Sequence, residues 1–256
     1  MSKILELDIH PSYGLAFQRL RGFKKVAFRV LHLFFPLHAF IHLNIEIRLM
    51  FLRLMSVRVV RRYHNSDNLL VNIGPGELGK AGWVNVDVCK APLVNCLYDC
   101  RKSLPFPDQS VRGIFCEHFF EHIDYTEEVP HFLSECHRVL KKGGVLRLII
   151  PDAEKYLRAY CNGGWDELER IRPLCPGHID AHAHCKYNTP MELVNVIFRQ
   201  GHQHKYAYDF ETLHFLLHRY GFSEVVLQEY GTSLMPELRL DQASRASESI
   251  YVDAKK

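Results

Sequence analysis

No two cysteines in this chain are spaced C-x-x-C, although eight are present at positions 89, 96, 100, 116, 136, 161, 175 and 185. That removes the commonest signature of a paired-cysteine zinc or redox centre. A cleavable signal peptide is not expected, because Asp8, His10 and Pro11 interrupt any apolar core near the start. A reducing, cytosolic setting follows as the expectation. Internal repeats and low-complexity tracts are lacking too. Acid is scarce from Val26 to Tyr63, where Glu46 stands alone. The longest run there without Lys, Arg, Asp or Glu extends from Val30 to Ile45 and contains Pro36, His32, His38 and His42. It falls about four residues short of the roughly 20 that span a bilayer, so a transmembrane helix is not expected.

The 256 residues present are 47% hydrophobic, enough to bury a core without covalent staples. The net charge of +3 conceals two opposed parts. Residues 1–64 hold eleven Lys and Arg against three Asp and Glu, a balance of +8, while the remaining 21 basic and 26 acidic residues give −5. The shift places a boundary near His64 to Asp67, dividing a basic, apolar helical appendage (1–64) from a main domain (65–256). Within the appendage, Arg48, Arg53, Arg58, Arg61 and Arg62 punctuate Ile47, Leu49, Met50, Phe51, Leu52, Leu54, Met55 and Val57. This mixture suits a helix lying on an anionic membrane surface through residues 26–62, at the inner face of the membrane. The competing expectation is a helix packed on the main domain with its arginines in solvent. Without polar, glycine-rich RNA-binding features, no nucleic-acid partner is expected.

From Asn68 onward the pattern is that of an α/β domain. "LLVNI" (69–73), "WVNVDV" (83–88), "LVNCLY" (93–98), "GIFCE" (113–117) and "VLRLII" (145–150) read as short buried strands of a parallel sheet. Phe132, Leu133, Cys136, Val139 and Leu140 follow helical spacing, with Lys141 and Lys142 at the expected helix end and Gly143 as its stop. "PDAEKYLRAY" begins a further helix, and an irregular His- and Cys-bearing insertion extends over about 153–208. "DFETLHFLLHRYGF" forms an amphipathic helix capped by Asp209 and stopped at Gly221. "EVVLQEY" and "SESIYVDA" close the sheet.

Ligands of an open α/β sheet bind at the carboxyl ends of its strands. Gly74, Pro75 and Gly76 follow the first strand, where glycine lets the backbone approach a ligand. Asp87 ends the second, suited to ribose hydroxyls, and Asp99 follows the third, suited to an exocyclic amine; Glu117 and His118 follow the fourth. A lone G-x-G is a weak signal, but acids ending two further strands make a plain turn a poorer account. From Gly74 to Trp83 the chain is too short for an ordinary strand-helix-strand crossover. That counts against a pyrophosphate-bearing cofactor, which needs a helix N-terminus.

These stretches resemble the class I S-adenosylmethionine-dependent methyltransferases, in particular a type-11-like group found in bacterial gene sets for surface polysaccharides and small metabolites. The resemblance rests on "NIGPGELGKAGWVNVDV", "YDCRKSLPFPDQSVRGIFCEHFFEHI", "ECHRVLKKGGVLRLIIPD" and the later "GHQHKYAYDFETLHFLLHRYGF" and "RASESIYVDA". It implies a Rossmann-like, three-layer, seven-stranded sheet with an antiparallel last strand, and S-adenosyl-L-methionine as cofactor. It also implies that Gly74 and Gly76 line the methionine part, Asp87 binds the ribose, Asp99 faces the adenine, and Glu117 and His118 border the transferred methyl group. Asn72 stands where many relatives carry an acid, Pro75 removes a backbone donor, and Arg112 replaces a usual Asp. Asn72 and Pro75 remain among the expected cofactor contacts, since an amide can donate or accept. The implied acceptor is a small molecule or glycan intermediate under the insertion.

A hydroxyl acceptor would benefit from a base, for which His118, His122, His202 and His204, with Glu121, are the candidates. Cys175, His178, His182, His184 and Cys185 have ligand chemistry, but apart from one H-x-x-x-H their spacing matches no strong zinc pattern, and no metal is assigned. Two other readings compete. A nicotinamide-dependent oxidoreductase shares the strand, glycine turn and acid, but the turn lacks a full G-x-G-x-x-G and the Tyr98/Lys102 pair straddles a strand end. A non-catalytic membrane-surface scaffold is suggested by Asn72 and Pro75 and opposed by Asp87, Asp99 and Glu117.

Overall fold

The computed structural model describes residues 37–180, 185–200 and 203–256. The first part of the basic segment, with His32, lies outside the described residues, as do His182, His184 and His202. The described part opens with α1 (Leu37–Tyr63), followed by β1 (Leu69–Ile73), β2 (Val84–Asp87), β3 (Cys96–Leu97) and β4 (Val111–Glu117). Next come α2 (Glu128–Val139), β5 (Leu140–Pro151), α3 (Ala153–Gly163) and α4 (Trp165–Ile171). The short pair β6 (Ile179–Asp180) and β7 (Cys185–Lys186) precedes α5 (Pro190–Phe198), α6 (Phe210–Arg219), β8 (Glu224–Gln228) and β9 (Ser249–Lys255).

Seven strands form one sheet in the order β3-β2-β1-β4-β5-β9-β8. The first five are parallel, and β9 runs antiparallel to both β5 and β8. The Rossmann-like seven-stranded architecture with a reversed last strand is therefore present. Strand alternation builds two layers of core: Val71, Ile73, Ile114 and Cys116 face α2 and α6, whereas Phe115, Ile149 and Tyr251 face the opposite side with Trp83 and Leu238. The first face is sealed by Phe132, Leu133 and Cys136 of α2 and Leu213 and Leu217 of α6, all fully buried. On the other face the segment between β8 and β9 is tied down by Arg147. Its guanidinium, wholly buried, bonds Asp241 at 2.6 and 2.9 Å and Asp253 at 2.8 Å.

Two local expectations need correction. The helix over Phe132 stops at Val139, so Lys141, Lys142 and Gly143 lie in β5 instead of ending the helix. The pairing of β4 with β5 jumps from Val111–Leu140 to Gly113–Val145, and the intervening residues bulge with Gly143 at φ +78°. A helical stop and a strand bulge use the same Lys-Gly chemistry, so local pattern does not separate them. Arg112, standing where the resemblance has an Asp ahead of the fourth strand, lies within β4 and pairs with Glu237.

α1 is joined to the edge formed by β2 and β3. Leu49 and Tyr63 are buried, and the Tyr63 ring meets Phe106 edge-on at 5.3 Å. Arg48 donates to the Val88 carbonyl, Arg62 to the Asn95 carbonyl and Arg53 to Asp99. These three arginines point at the main sheet, leaving Leu43, Ile47, Met50, Phe51 and Leu54 on the exposed side. No helix among the described residues is long and apolar enough to cross a membrane. The insertion has a small core of its own, in which Tyr156 and Ala159 of α3 meet Leu168 of α4 and Leu193, Val194 and Ile197 of α5. Asp152, Thr189 and Asp209 cap the starts of α3, α5 and α6 through backbone N–H groups.

Candidate active site

The carboxyl ends of β1, β2, β3 and β4 bring Gly74, Asp87, Asp99 and Glu117 to one edge of the sheet. Between β1 and β2 the chain forms turns and no helix. Gly74 has φ +68°, and a Cβ there would stand 2.8 Å from that of Phe119, so only glycine fits between the turn and the end of β4. Gly76 has φ +54° with open space where its Cβ would be. Its N–H donates to Asp87 Oδ2 at 3.0 Å, and Cys89 N–H donates to Asp87 Oδ1 at 2.8 Å. Each Asp87 oxygen thus has one backbone donor and retains a lone pair for a ligand.

Asn72 behaves differently from the expectation of a cofactor contact. Its buried amide donates to Asn85 Oδ1 at 3.4 Å, and Asn85 also accepts from Lys80 N–H and donates to the Lys80 carbonyl. Asn72 and Asn85 therefore brace the turn from beneath. Pro75 contributes only its carbonyl, which accepts from Leu78 N–H. Asp99 is enclosed: Arg53 and Arg101 both bind its carboxylate, and its side chain is 2% exposed. Burial pushes the Asp99 carboxyl up, but the Arg101 and Arg53 guanidiniums outweigh it and hold it below the usual range. An adenine amine would have to share this carboxylate with two guanidiniums. Glu117 accepts from the backbone and side-chain amides of Gln242 at 3.0 and 2.9 Å.

His118 sits at φ +51°, turning away from the strand. Arg245 Nη1 lies 3.1 Å from its Nδ1, and Ser249 Oγ lies 2.9 Å from its Nε2. Because a guanidinium only donates, Nδ1 is the acceptor and Nε2 carries the proton. Beyond it, Glu121 is buried among three imidazoles, with His118 Nδ1, His122 Nε2 and His204 Nε2 at 3.2, 3.9 and 4.0 Å from Oε1. Burial lowers His204 to about 4, against the opposing pull of Glu121. Burial raises the Glu121 carboxyl while the imidazoles lower it, leaving it at about 2. Both directions describe an ionised Glu121 facing a neutral His204.

A cavity of about 190 Å³ opens beside His118, lined by Ile171, Arg172, Pro173, Asp180, Arg245 and Glu248 among others. Arg172 donates to Asp180 and Glu248 at 2.6 and 2.7 Å, and Tyr156 donates to Glu248 at 2.6 Å. Sequence reasoning missed these residues. The available signal was the reversed last strand: residues just before an antiparallel β9 must lie at the carboxyl edge of its parallel neighbours. In the insertion, His178 stacks on Trp165 at 3.8 Å and pairs with Glu169, while Cys175 is exposed.

A family model described as a methyltransferase domain matches residues 80–148. That span begins after the glycine turn and carries β2, β3, β4, α2 and most of β5. Among solved structures, an S-adenosylmethionine-dependent methyltransferase from Archaeoglobus fulgidus is 18% identical, covering 80% of this chain and 94% of its own, with a TM-score of 0.43. A Thermotoga maritima methyltransferase described as a possible histamine N-methyltransferase is 16% identical over 84% of this chain and 94% of its own, with a TM-score of 0.46. Phosphoethanolamine N-methyltransferase 2 of Haemonchus contortus, solved with S-adenosyl-L-methionine, is 12% identical over 79% of this chain and 52% of its own, at 0.43. No curated protein matches the sequence. The match lies over the strands that end at Asp87 and Glu117 and the turn that carries Asp99, so residues 80–148 are similar to a methyltransferase domain, within a sheet of the strand order given above.

Proposed function

We propose that the chain transfers a methyl group from S-adenosyl-L-methionine to a polar small-molecule or sugar-linked acceptor held in the cavity between the insertion and the segment before β9. Asp87 carries this reading: its carboxylate ends β2, keeps a lone pair on each oxygen, and is bound to Gly76 beside open space. That donor and acceptor set fits a ribose diol. Gly74 and Gly76 would lie along the methionine end and Asp87 would hold the ribose, with Asp99 reaching adenine only by sharing its bonds from Arg53 and Arg101.

The cofactor supplies a methyl group already activated on a sulfonium, so the protein's work is to position the acceptor in line and exclude water. Arg172, Asp180, Arg245 and Glu248 would orient a polar acceptor by hydrogen bonds. His118 is joined to the cavity through Arg245 and could take the acceptor's proton at Nδ1 only where Arg245 yields that nitrogen; His122 and His204 are further candidates, and the candidate His202 lies outside the described residues. Incubating cell extracts with the protein and methyl-labelled cofactor tests the reading: one polar metabolite should gain the label, and unlabelled extracts at full cofactor occupancy would contradict it.

The exposed stripe Leu43, Ile47, Met50, Phe51 and Leu54, continued by Arg58 and Arg61, supports peripheral contact with an anionic membrane. Flotation of the full chain with anionic vesicles should be lost in Phe51→Glu; equal flotation of both proteins would reject the contact.

A further inference from the structure

We propose that Glu121, His122 and His204 form a binding site for one divalent first-row transition-metal ion of the zinc type. The three ligand atoms come from the turn after β4 and from the chain leading into α6, and lie within 4.8 Å of one another. Their hydrogen-bond partners determine what they present. His122 Nδ1 lies 3.2 Å from the Gln203 carbonyl, and His204 Nδ1 lies 3.1 Å from the Ile197 carbonyl. A carbonyl only accepts, so each Nδ1 carries the proton and each Nε2 presents a lone pair. Both Nε2 atoms face Glu121 Oε1, at 3.9 and 4.0 Å.

The Glu121 side chain is 2% exposed, and neither of its oxygens accepts a hydrogen bond from a protein group. His118, the nearest imidazole, directs Nδ1 toward it at 3.2 Å, but that nitrogen is the acceptor of Arg245. A buried carboxylate and two imidazole lone pairs thus converge with no donor among them. Such a group of acceptors is costly to bury on its own and is satisfied by a cation.

Two imidazoles and one carboxylate are the ligand set of open zinc sites, and the same set serves other first-row divalent ions. Bond lengths of about 2.0–2.2 Å would bring neighbouring ligands to about 3.4 Å, so closure on the ion needs shifts of less than about 1 Å per side chain. The backbone carbonyls behind His122 and His204 are the outer partners that fix imidazole orientation in metal sites. His122 is partly exposed, which leaves the ion an entry path and an open coordination position. The cluster adjoins the proposed methyl-transfer site, since Phe119, two residues before Glu121, packs on Gly74. The binding claim itself does not depend on methyl transfer.

The test uses the full chain, stripped with a chelator and titrated with Co²⁺ by visible absorption and with Zn²⁺ by calorimetry. One ion per chain should bind, with the ligand-field absorption of a low-coordinate cobalt site. His122→Ala, at a partly exposed position that the core does not need, should weaken binding about a hundredfold while circular dichroism and thermal unfolding remain those of the wild type. Glu121→Gln should do the same where it folds. Absence of stoichiometric Co²⁺ and Zn²⁺ binding by the wild type would overturn the site. So would a folded His122→Ala protein that binds as tightly as wild type, because the ion would then reside elsewhere. Either failure would leave cofactor binding at Asp87 intact, so the two readings separate.

Discussion

Arg53 Nη2 stands 2.7 Å from Asp99 Oδ2, and this contact ties α1 to the carboxyl end of β3. Arg101 binds both Asp99 oxygens, at 2.9 and 3.0 Å, and also reaches Glu46 and Glu128, so one network of five charged groups joins α1, β3 and α2. Arg53 is one-third exposed while Asp99 is buried, which limits the energy of the pair to about 1 kcal/mol. Arg53→Ala should therefore leave the protein folded but speed amide exchange in residues 49–63; unchanged exchange would show that Leu49 and Tyr63 alone hold the helix.

The same network has a defined pH dependence. Asp99 is held below its unfolded value, so its contribution is complete above that unfolded value, about 4, and is lost as pH falls through the lower folded value. Exchange of α1 should accelerate in acid below about pH 4 and remain flat on the neutral side. Acceleration between neutral and mildly alkaline pH would point to another group.

Arg147 offers a sharper stability test, because its guanidinium is fully buried against Asp241 and Asp253. Arg147→Ala leaves two carboxylates buried without their partner and should cost about 3–5 kcal/mol in urea unfolding. A cost under about 1 kcal/mol would mean that the segment before β9 lifts away and rehydrates the acids.

The glycine turn separates strain from crowding. Gly74→Ala combines left-handed backbone with a 2.8 Å approach to Phe119, whereas Gly76→Ala meets nothing within 4 Å. Gly76→Ala should lose about 1–2 kcal/mol from conformation alone, and Gly74→Ala should lose more together with cofactor affinity. Equal losses would place the Phe119 contact in doubt.

The parallel strands and the residues at their ends were legible because each is a local signal, a short apolar run followed by glycine or an acid, whereas the reversal of the last strand came only from the family resemblance. What those residues touch was not legible. Asp99 looked like a free acceptor at a strand end, yet its partner Arg53 lies 46 positions upstream on another element. Asn72 looked like a substituted ligand, and only its contact with Asn85 shows that it supports the turn. Arg245 and Glu248 lie in "RASESIYVDA", a run that by itself reads only as the closing strand. Their meaning depends on β9 running backwards. The Glu121, His122 and His204 cluster joins an adjacent pair to a residue 82 positions on, a closure that sequence spacing cannot reveal.

The central claim, that the edge built around Asp87 binds S-adenosyl-L-methionine, is tested most directly by calorimetric titration of the wild type and Asp87→Ala with that cofactor and with NADH. The account predicts one cofactor molecule per wild-type chain, at least about tenfold weaker binding by the folded variant, and no NADH binding. Wild-type protein that binds NADH, or that binds S-adenosylmethionine no better than Asp87→Ala does, would contradict it.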